Sequence, residues 1–346
     1  MKKKEKNMFA KPGKKIDFFS SGCVLLDCVL GKGKGWAERR ISHIAGDSSA
    51  GKTQLAEEAA INFLLKYNTG KIIYHETESA FDFDYAETIG LPIDMVKFVE
   101  GKDKKPINTV EGFKEEVIKY IQKSMEGVPI IYILDSLDSL SGGAVYGEKQ
   151  KELSSMFREL SADVARSNLH LMIIGQTRVN MGNIFQKDYI TGGEALKFYS
   201  SQRVLLHDRG KVKRTYHGIE RIIGVKTNAY CFKNKVAPPY RSCDFEIIFY
   251  YGVNDVGASL NWINSNKDAV TIFEEIGIGE SIFNEVKKEN SEEVTKVVSP
   301  QKLGNFITKF NEDQDSKIKD VIDNRVRDLW NKIEDEVAPS TSKYSI

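Results

Sequence analysis

The chain of 346 residues carries only four cysteines, and none of its apolar runs approaches the roughly 20 residues needed to span a membrane. Cys23, Cys28, Cys231 and Cys243 form no close pair and have no histidine at metal-ligand spacing. That excludes a zinc ribbon or a disulfide framework and leaves inert, buried or half-buried thiols. Charge of one sign is also missing: 50 Lys and Arg against 49 Asp and Glu leave a net +1, so bulk charge predicts no polyanion partner and local charge must decide. The N-terminus, "MKKKEKNMFAKPGKK", has no hydrophobic stretch behind its lysines, so no membrane association is expected and the cytoplasm is the expected location. Internal repeats are absent. The 41% of hydrophobic residues exclude a disordered chain, and the length suffices for one large core with a smaller satellite.

Along the chain, residues 1–15 hold seven lysines against one glutamate and read as a solvated basic segment. From residue 41, short and nearly continuous apolar runs ("RRISHIAG", "GKIIYHETE", "VPIIYILDSL", "LHLMIIGQ") alternate with helical patterns such as "AEEAAINFLLKY" and "FKEEVIKYIQKSM". The fold class is therefore α/β, with a mostly parallel sheet covered by helices on both faces. Beyond residue 203 the pattern changes to strands joined by turns, an antiparallel extension of the same sheet. Residues 270–335 read as a small, charged, mostly helical C-terminal lobe interrupted at "VVSPQKLG", and 336–346 as a frayed tail. The core spans 17–269, preceded by the basic segment 1–16.

One motif carries chemistry outright. "GDSSAGKT", residues 46–53, fits G-x-x-x-x-G-K-[ST], which arises by chance in roughly one chain in a hundred of this length. A strand precedes it and a helix follows. Gly46 and Gly51 let the loop curl so that the amides of Asp47, Ser48, Ser49, Ala50, Gly51 and Gln54 can face phosphate. Lys52 supplies a point charge to the β- and γ-phosphates, and the Thr53 hydroxyl is suited to Mg²⁺. A nucleoside triphosphate site follows. Its metal-orienting acid is Asp135, at the end of "VPIIYILD", while Asp138 starts the next turn. "KIIYHETES" ends another apolar strand with two candidates for the base, Glu76 and Glu78, which are expected to share one face because strand side chains alternate. Chemistry alone does not choose between them.

Over most of residues 17–265 these pieces, in this order, resemble the RecA family of homologous-recombination ATPases. "DFFSSGCVLLDCVLGKGKGWAERRISHIAGDSSAGKTQL" looks like the segment leading into the family's P-loop, and "ETESAFDFDYAETIG" like its acidic strand end. "LHLMIIGQTRVNMG" and "TGGEALKFYSSQR" are similar to the segments that bracket its second DNA loop, and "KNKVAPPYRSCDFEIIFYYGVN" to its late strand pair. The short chain resembles the family's phage branch. The resemblance implies ATP with Mg²⁺ as cofactors, Glu78 as the catalytic glutamate, Asp82 and Tyr85 as readers of adenine, and Gln176 as the γ-phosphate sensor. It further implies that residues 177–196 order on single-stranded DNA, with Arg178, Lys187, Gly192, Gly193, Lys197 and Arg203 at the DNA side. Phe198 would dock into the neighbouring subunit, and Lys233 and Lys235 would reach the neighbour's γ-phosphate.

The implied activity is a DNA-dependent ATPase that forms helical filaments on single-stranded DNA and exchanges strands with homologous duplex DNA. Single-stranded-DNA-binding and loading proteins would be its accessory partners, in the cytoplasm of a bacterium or a phage-infected cell. A ring-forming DNA motor on the same core and a non-catalytic regulator are the rival readings. A separate collar domain is lacking for the first, and the set Lys52, Thr53, Glu78 and Asp135 is intact against the second. Departures from the family pattern are a short segment before "DFFSSG", a short first DNA loop around "SGGAVYGEKQK", Gly175 where an asparagine is expected, and no acidic tail.

Overall fold

The computed structural model describes residues 16–101, 105–142, 148–178, 189–190, 193–287 and 294–338. Strands β1 (Phe18–Phe19) and β2 (Trp36–Ala37) pair around helix α1 (Val24–Gly31). The alternating part follows as β3 (Ile41–Gly46), α2 (Lys52–Lys66), β4 (Lys71–Glu76), α3 (Phe83–Thr88), β5 (Val96–Phe98), α4 (Val110–Met125), β6 (Ile130–Asp135), α5 (Glu148–Arg166) and β7 (Leu169–Arg178). A short β8 (Tyr189–Ile190) pairs with β7, and α6 (Gly193–Tyr199) leads into β9 (Gln202–Tyr216), β10 (Ile219–Asn234), β11 (Arg241–Ile248) and β12 (Gly252–Val253). The remainder is α7 (Asp255–Asn264), α8 (Ala269–Glu275), α9 (Gly279–Ile282), a hairpin of β13 (Phe283–Lys287) and β14 (Val294–Val298), then α10 (Pro300–Asp313) and α11 (Ser316–Val337).

The main sheet runs β12-β11-β10-β9-β3-β7-β6-β4-β5. From β9 to β5 neighbours are parallel, and β10, β11 and β12 add antiparallel strands. The expected antiparallel extension is present, although its first strand, β9, lies parallel to β3. Two buried apolar layers explain why the strands are mostly apolar. Ile131, Ile133, Met172 and Ile174 face the layer shared with α1, α2 and α7, while Tyr132, Leu134, Leu171 and Ile173 face the layer shared with α4 and α5. Alternate side chains of a strand point to opposite faces, so both must be apolar when helices cover both. Fully burying each such side chain stabilises by roughly 1.5–3 kcal/mol.

The C-terminal region contains a strand hairpin that its charged, helix-like sequence pattern does not announce. Val294, Thr295, Val297 and Val298 are β-branched and favour extended backbone, and all five residues of β13 pair with β14. Ser299 then caps α10, with Pro300 in its first turn. Helix α11 returns across the core. Arg241 forms a two-pronged pair with Glu334 at 2.6 and 2.8 Å, Lys319 bonds Asp255 and Asp323, and Trp330 lies 5.7 Å from Trp262. Ile322, Val326 and Trp330 belong to the same apolar cluster as α1 and α2.

Candidate nucleotide-binding site

Parallel strands deliver their polar ends to one edge of the sheet, and the register decides which residues meet. Gly46 at the end of β3 is level with Gln176 on β7, and Glu76 on β4 is level with Asp135 on β6. Helices leave opposite faces at this edge, which opens a crevice. A cavity of about 590 Å³ lies there, with Lys52, Thr53, Glu78, Asp82, Tyr85 and Asp135 on its walls.

The loop from Gly46 to Gly51 is held by close packing. A Cβ on Gly46 would come within 2.5 Å of the Leu206 carbonyl oxygen, and one on Gly51, whose φ is +90°, within 2.0 Å of Ile247. Both positions require glycine. The amides at the start of α2 have no side-chain cap, which leaves them available to an anion. Lys52 folds back over the loop and donates to the carbonyls of Gly46 (3.1 Å) and Asp47 (2.7 Å). Burial lowers its pKa, while Asp135, Asp47, Asp138 and Glu78 act in the opposite direction. Ala50 is buried, its carbonyl accepting from Thr227 at 3.1 Å. Asp47 turns away and accepts from the Thr177 hydroxyl at 2.9 Å. Ser49 and Gln54 line the cavity, and Ser48 is exposed outside it.

Asp135 accepts hydrogen bonds from the Thr53 hydroxyl (2.8 Å) and the Tyr74 hydroxyl (2.9 Å). Burial raises its pKa and these two bonds oppose the shift. A hydroxyl and a carboxylate side by side at a phosphate loop are the oxygen donors that Mg²⁺ takes, and they leave room for the water it retains. Asp138 does start the next turn, and its carboxylate accepts from the Gln176 amide at 2.7 Å.

The two glutamates do not share a strand face, because β4 ends at Glu76 and Glu78 lies in the turn beyond it. Glu76 is consumed by that turn: its carboxylate accepts from the amides of Glu78 (2.8 Å), Ser79 (2.8 Å) and Ala80 (3.1 Å). Glu78 faces the cavity, with one oxygen accepting from Ser136 (2.5 Å) and Ser139 (3.1 Å). Asp82 caps α3 by accepting from the Tyr85 amide at 3.0 Å. Tyr85 is half-buried with its ring 5.3 Å from that of Tyr250.

Several residues on the cavity wall were not anticipated, among them Glu57 on α2, Lys211 and Ile222 on the β9–β10 hairpin, and Phe249. The aromatic run "FYYG" at a strand end was a usable signal for Phe249 and Tyr250. An acid on the apolar side of "AEEAAINFLL" was one for Glu57. Nothing local announces that a hairpin overhangs the site.

On the other side of β7, Gln176 is exposed and does not line the cavity. The backbone of Arg178 pairs with Tyr189. Lys187 and Gly192 lie outside the described residues, and Gly193 opens α6. Phe198 is 61% exposed, and Lys197 beside it is also exposed. Lys233 donates to the carbonyls of Lys197 and Phe198, and Lys235 donates to that of Phe198 at 2.8 Å. Both cations therefore sit on the C-terminal end of α6, where the helix dipole favours them. Burial, then Lys235 and Arg203, lower the Lys233 pKa to about 8. Neither lysine lines its own subunit's cavity. Arg203, expected on the DNA side, is 4% exposed, bonded to His43 at 3.2 Å and packed 4.7 Å from the Phe232 ring.

Fold and loop together define a P-loop nucleotide-binding protein built on a parallel sheet with an antiparallel extension. The family model for the RecA N-terminal domain matches residues 5–254. Protein RecA of Francisella tularensis subsp. tularensis (strain WY96-3418) is 31% identical over 328 residues, covering 88% of this chain and 87% of the relative. Protein RecA of Francisella tularensis subsp. novicida (strain U112) is 30% identical over the same shares. The chain belongs to the RecA family. Among the described residues no helix is long and apolar enough to cross a membrane.

Proposed function

We propose that the protein is an ATP-dependent recombinase that assembles on single-stranded DNA, pairs it with homologous duplex DNA and hydrolyses ATP at subunit interfaces. The observation that carries this reading is the convergence of Lys52, Thr53, Asp135 and Glu78 on one cavity, whose neighbouring strand tip runs straight into residues 177–196. In this reading the loop amides and Lys52 hold the β- and γ-phosphates. Thr53 and Asp135 would hold Mg²⁺, which when bound neutralises phosphate charge. Glu78, oriented by Ser136 and Ser139, takes the proton of the attacking water. Asp82 and Tyr85 flank the adenine.

Gln176 and Thr177 are the link between ATP and DNA. Asp47 of the phosphate loop holds Thr177, and Asp138, in the turn after Asp135, holds the Gln176 amide. A shift at the phosphates would thus be passed to the backbone of Gln176–Arg178, which leads in sequence to Lys187, Gly192, Gly193 and Lys197. Phe198 and the lysine pair lie away from their own cavity, which suits Phe198 to docking on an adjacent subunit and Lys233 and Lys235 to completing that subunit's site. Electron microscopy of the protein with single-stranded DNA and a non-hydrolysable ATP analogue tests the assembly. Helical filaments support it, whereas closed rings or unassembled protein would return the chain to a motor or a regulator. A strand-exchange assay on homologous and heterologous duplexes tests the reaction.

A further inference from the structure

Two side chains in the cavity wall have no business being buried as they are. Gln54 is 6% exposed and Glu57 4% exposed, one helical turn apart on α2, and both line the cavity. Both amide atoms of Gln54 lack a hydrogen-bond partner. Among the described residues nothing bonds the Glu57 carboxyl either. Its neighbour Glu58, by contrast, accepts from the Val253 amide at 2.8 Å. Buried polar groups are almost always satisfied, and an orphan at a cavity wall calls for a partner that arrives from the cavity.

The phosphate end of the cavity already has its ligands in the loop, Lys52 and Thr53. An acid is a poor neighbour for a polyphosphate. Glu57 interacts electrostatically with Asp135 first, and also with Asp82 and Tyr85 toward the far end. There, one Asp82 oxygen is committed to capping α3, both buried amide atoms of Gln54 lack a partner, and the Glu57 carboxyl accepts no hydrogen bond among the described residues. We propose that Gln54 and Glu57 complete their hydrogen bonds on the nucleoside of the bound nucleotide, which makes Glu57 a specificity-determining residue of this site. This rests on the reading of the cavity as an ATP site. Burial, with Asp135, Glu58 and Asp82 nearby, raises the Glu57 pKa to about 8. A shift in that direction favours a carboxyl that can donate as well as accept, meeting an amino group, a ring nitrogen or a sugar hydroxyl.

The test compares the affinities of ATP, 2′-deoxy-ATP, inosine triphosphate and inorganic tripolyphosphate for the full chain with Mg²⁺. Glu57→Leu should weaken ATP roughly tenfold, the worth of one to two hydrogen bonds, and leave tripolyphosphate unchanged. Glu57→Gln, which keeps a donor and an acceptor, should stay within about threefold of wild type. Gln54→Leu should repeat the split between ATP and tripolyphosphate, so the proposal stays open to test even if Glu57→Leu fails to fold. If the contact is to the sugar, the Glu57→Leu loss vanishes with 2′-deoxy-ATP. If it is to the base edge, it vanishes with inosine triphosphate. Equal losses for ATP and tripolyphosphate, or no loss for ATP, would overturn the proposal. Wild-type protein that binds tripolyphosphate but shows no preference for ATP overturns it too, while leaving the phosphate site intact. Wild-type protein that binds neither ligand overturns the ATP reading itself and this inference with it.

Discussion

Glu76 and Glu78 are the same residue type two positions apart, yet their surroundings assign them opposite duties. Both line the cavity, but Glu76 spends its carboxylate on three backbone amides, whereas Glu78 accepts from two serine hydroxyls. Glu78→Gln keeps the shape and removes the proton acceptor. ATP binding and assembly should survive while turnover falls on the order of 10²-fold or more. Glu76→Gln removes charge from a turn that three amides stabilise, so its main effect should be a lower melting temperature, with a loss of about 1–2 kcal/mol. Steady-state ATPase and thermal melts on both variants check this, and the reverse assignment of phenotypes would exchange the two roles. Lys52→Ala should abolish ATP-dependent DNA binding, since the loop has no other cation on the β- and γ-phosphates; undiminished ATPase in that variant would locate the site elsewhere.

At the level of elements, legibility followed the length scale of the force involved. Strands β3, β4, β6 and β7 were readable because burial on both faces leaves a local signature, a nearly continuous apolar run. The phosphate loop was readable because its glycines answer a local steric demand at Gly46 and Gly51. What could not be read depended on distant partners. That Arg203 is buried follows from His43 and Phe232, 160 and 29 residues away in sequence. That Glu78 leaves its strand follows from where β4 stops pairing with β6. The C-terminal lobe is the largest case. Its charged sequence suggested a satellite, but α11 shares the core's apolar cluster through Ile322, Val326 and Trp330. Trp330→Ala should therefore cost about 3 kcal/mol and lower the melting temperature of the whole chain in a single transition. ATP should also shift that transition upward in the variant. Two separate transitions, with only the lesser one moved, would make the lobe an independent unit.

For the molecule as a whole, the question is what the Lys233–Lys235 pair is waiting for. Two ammonium groups and the end of α6 are packed together, with the helix carbonyls of Lys197 and Phe198 accepting from them. Burial lowers both pKa values, joined by Lys235 and Arg203 at Lys233, which falls to about 8, and by Arg40 at Lys235. An incoming γ-phosphate would favour the charged forms and push those values back up. Above pH 8 an isolated subunit holds Lys233 largely neutral, so assembly on ATP must then take up a proton. Assembly should therefore weaken as pH rises from about 8 toward the ordinary lysine range, and should change little from this source below 8. The decisive experiment is mixing. Lys233→Ala/Lys235→Ala protein keeps Lys52 and the loop, so as a monomer it should bind ATP about as well as wild type. On DNA its hydrolysis should fall roughly 10³-fold, the loss seen where a cation supplied across an interface is removed. Glu78→Gln protein should be nearly inactive for the other reason. If each site takes its glutamate from one subunit and its lysines from the next, co-assembled filaments regain activity wherever a Glu78-intact subunit meets a lysine-intact neighbour. Near-zero activity at every mixing ratio, in filaments shown to contain both proteins, would mean that the lysines only hold the end of α6 in their own subunit.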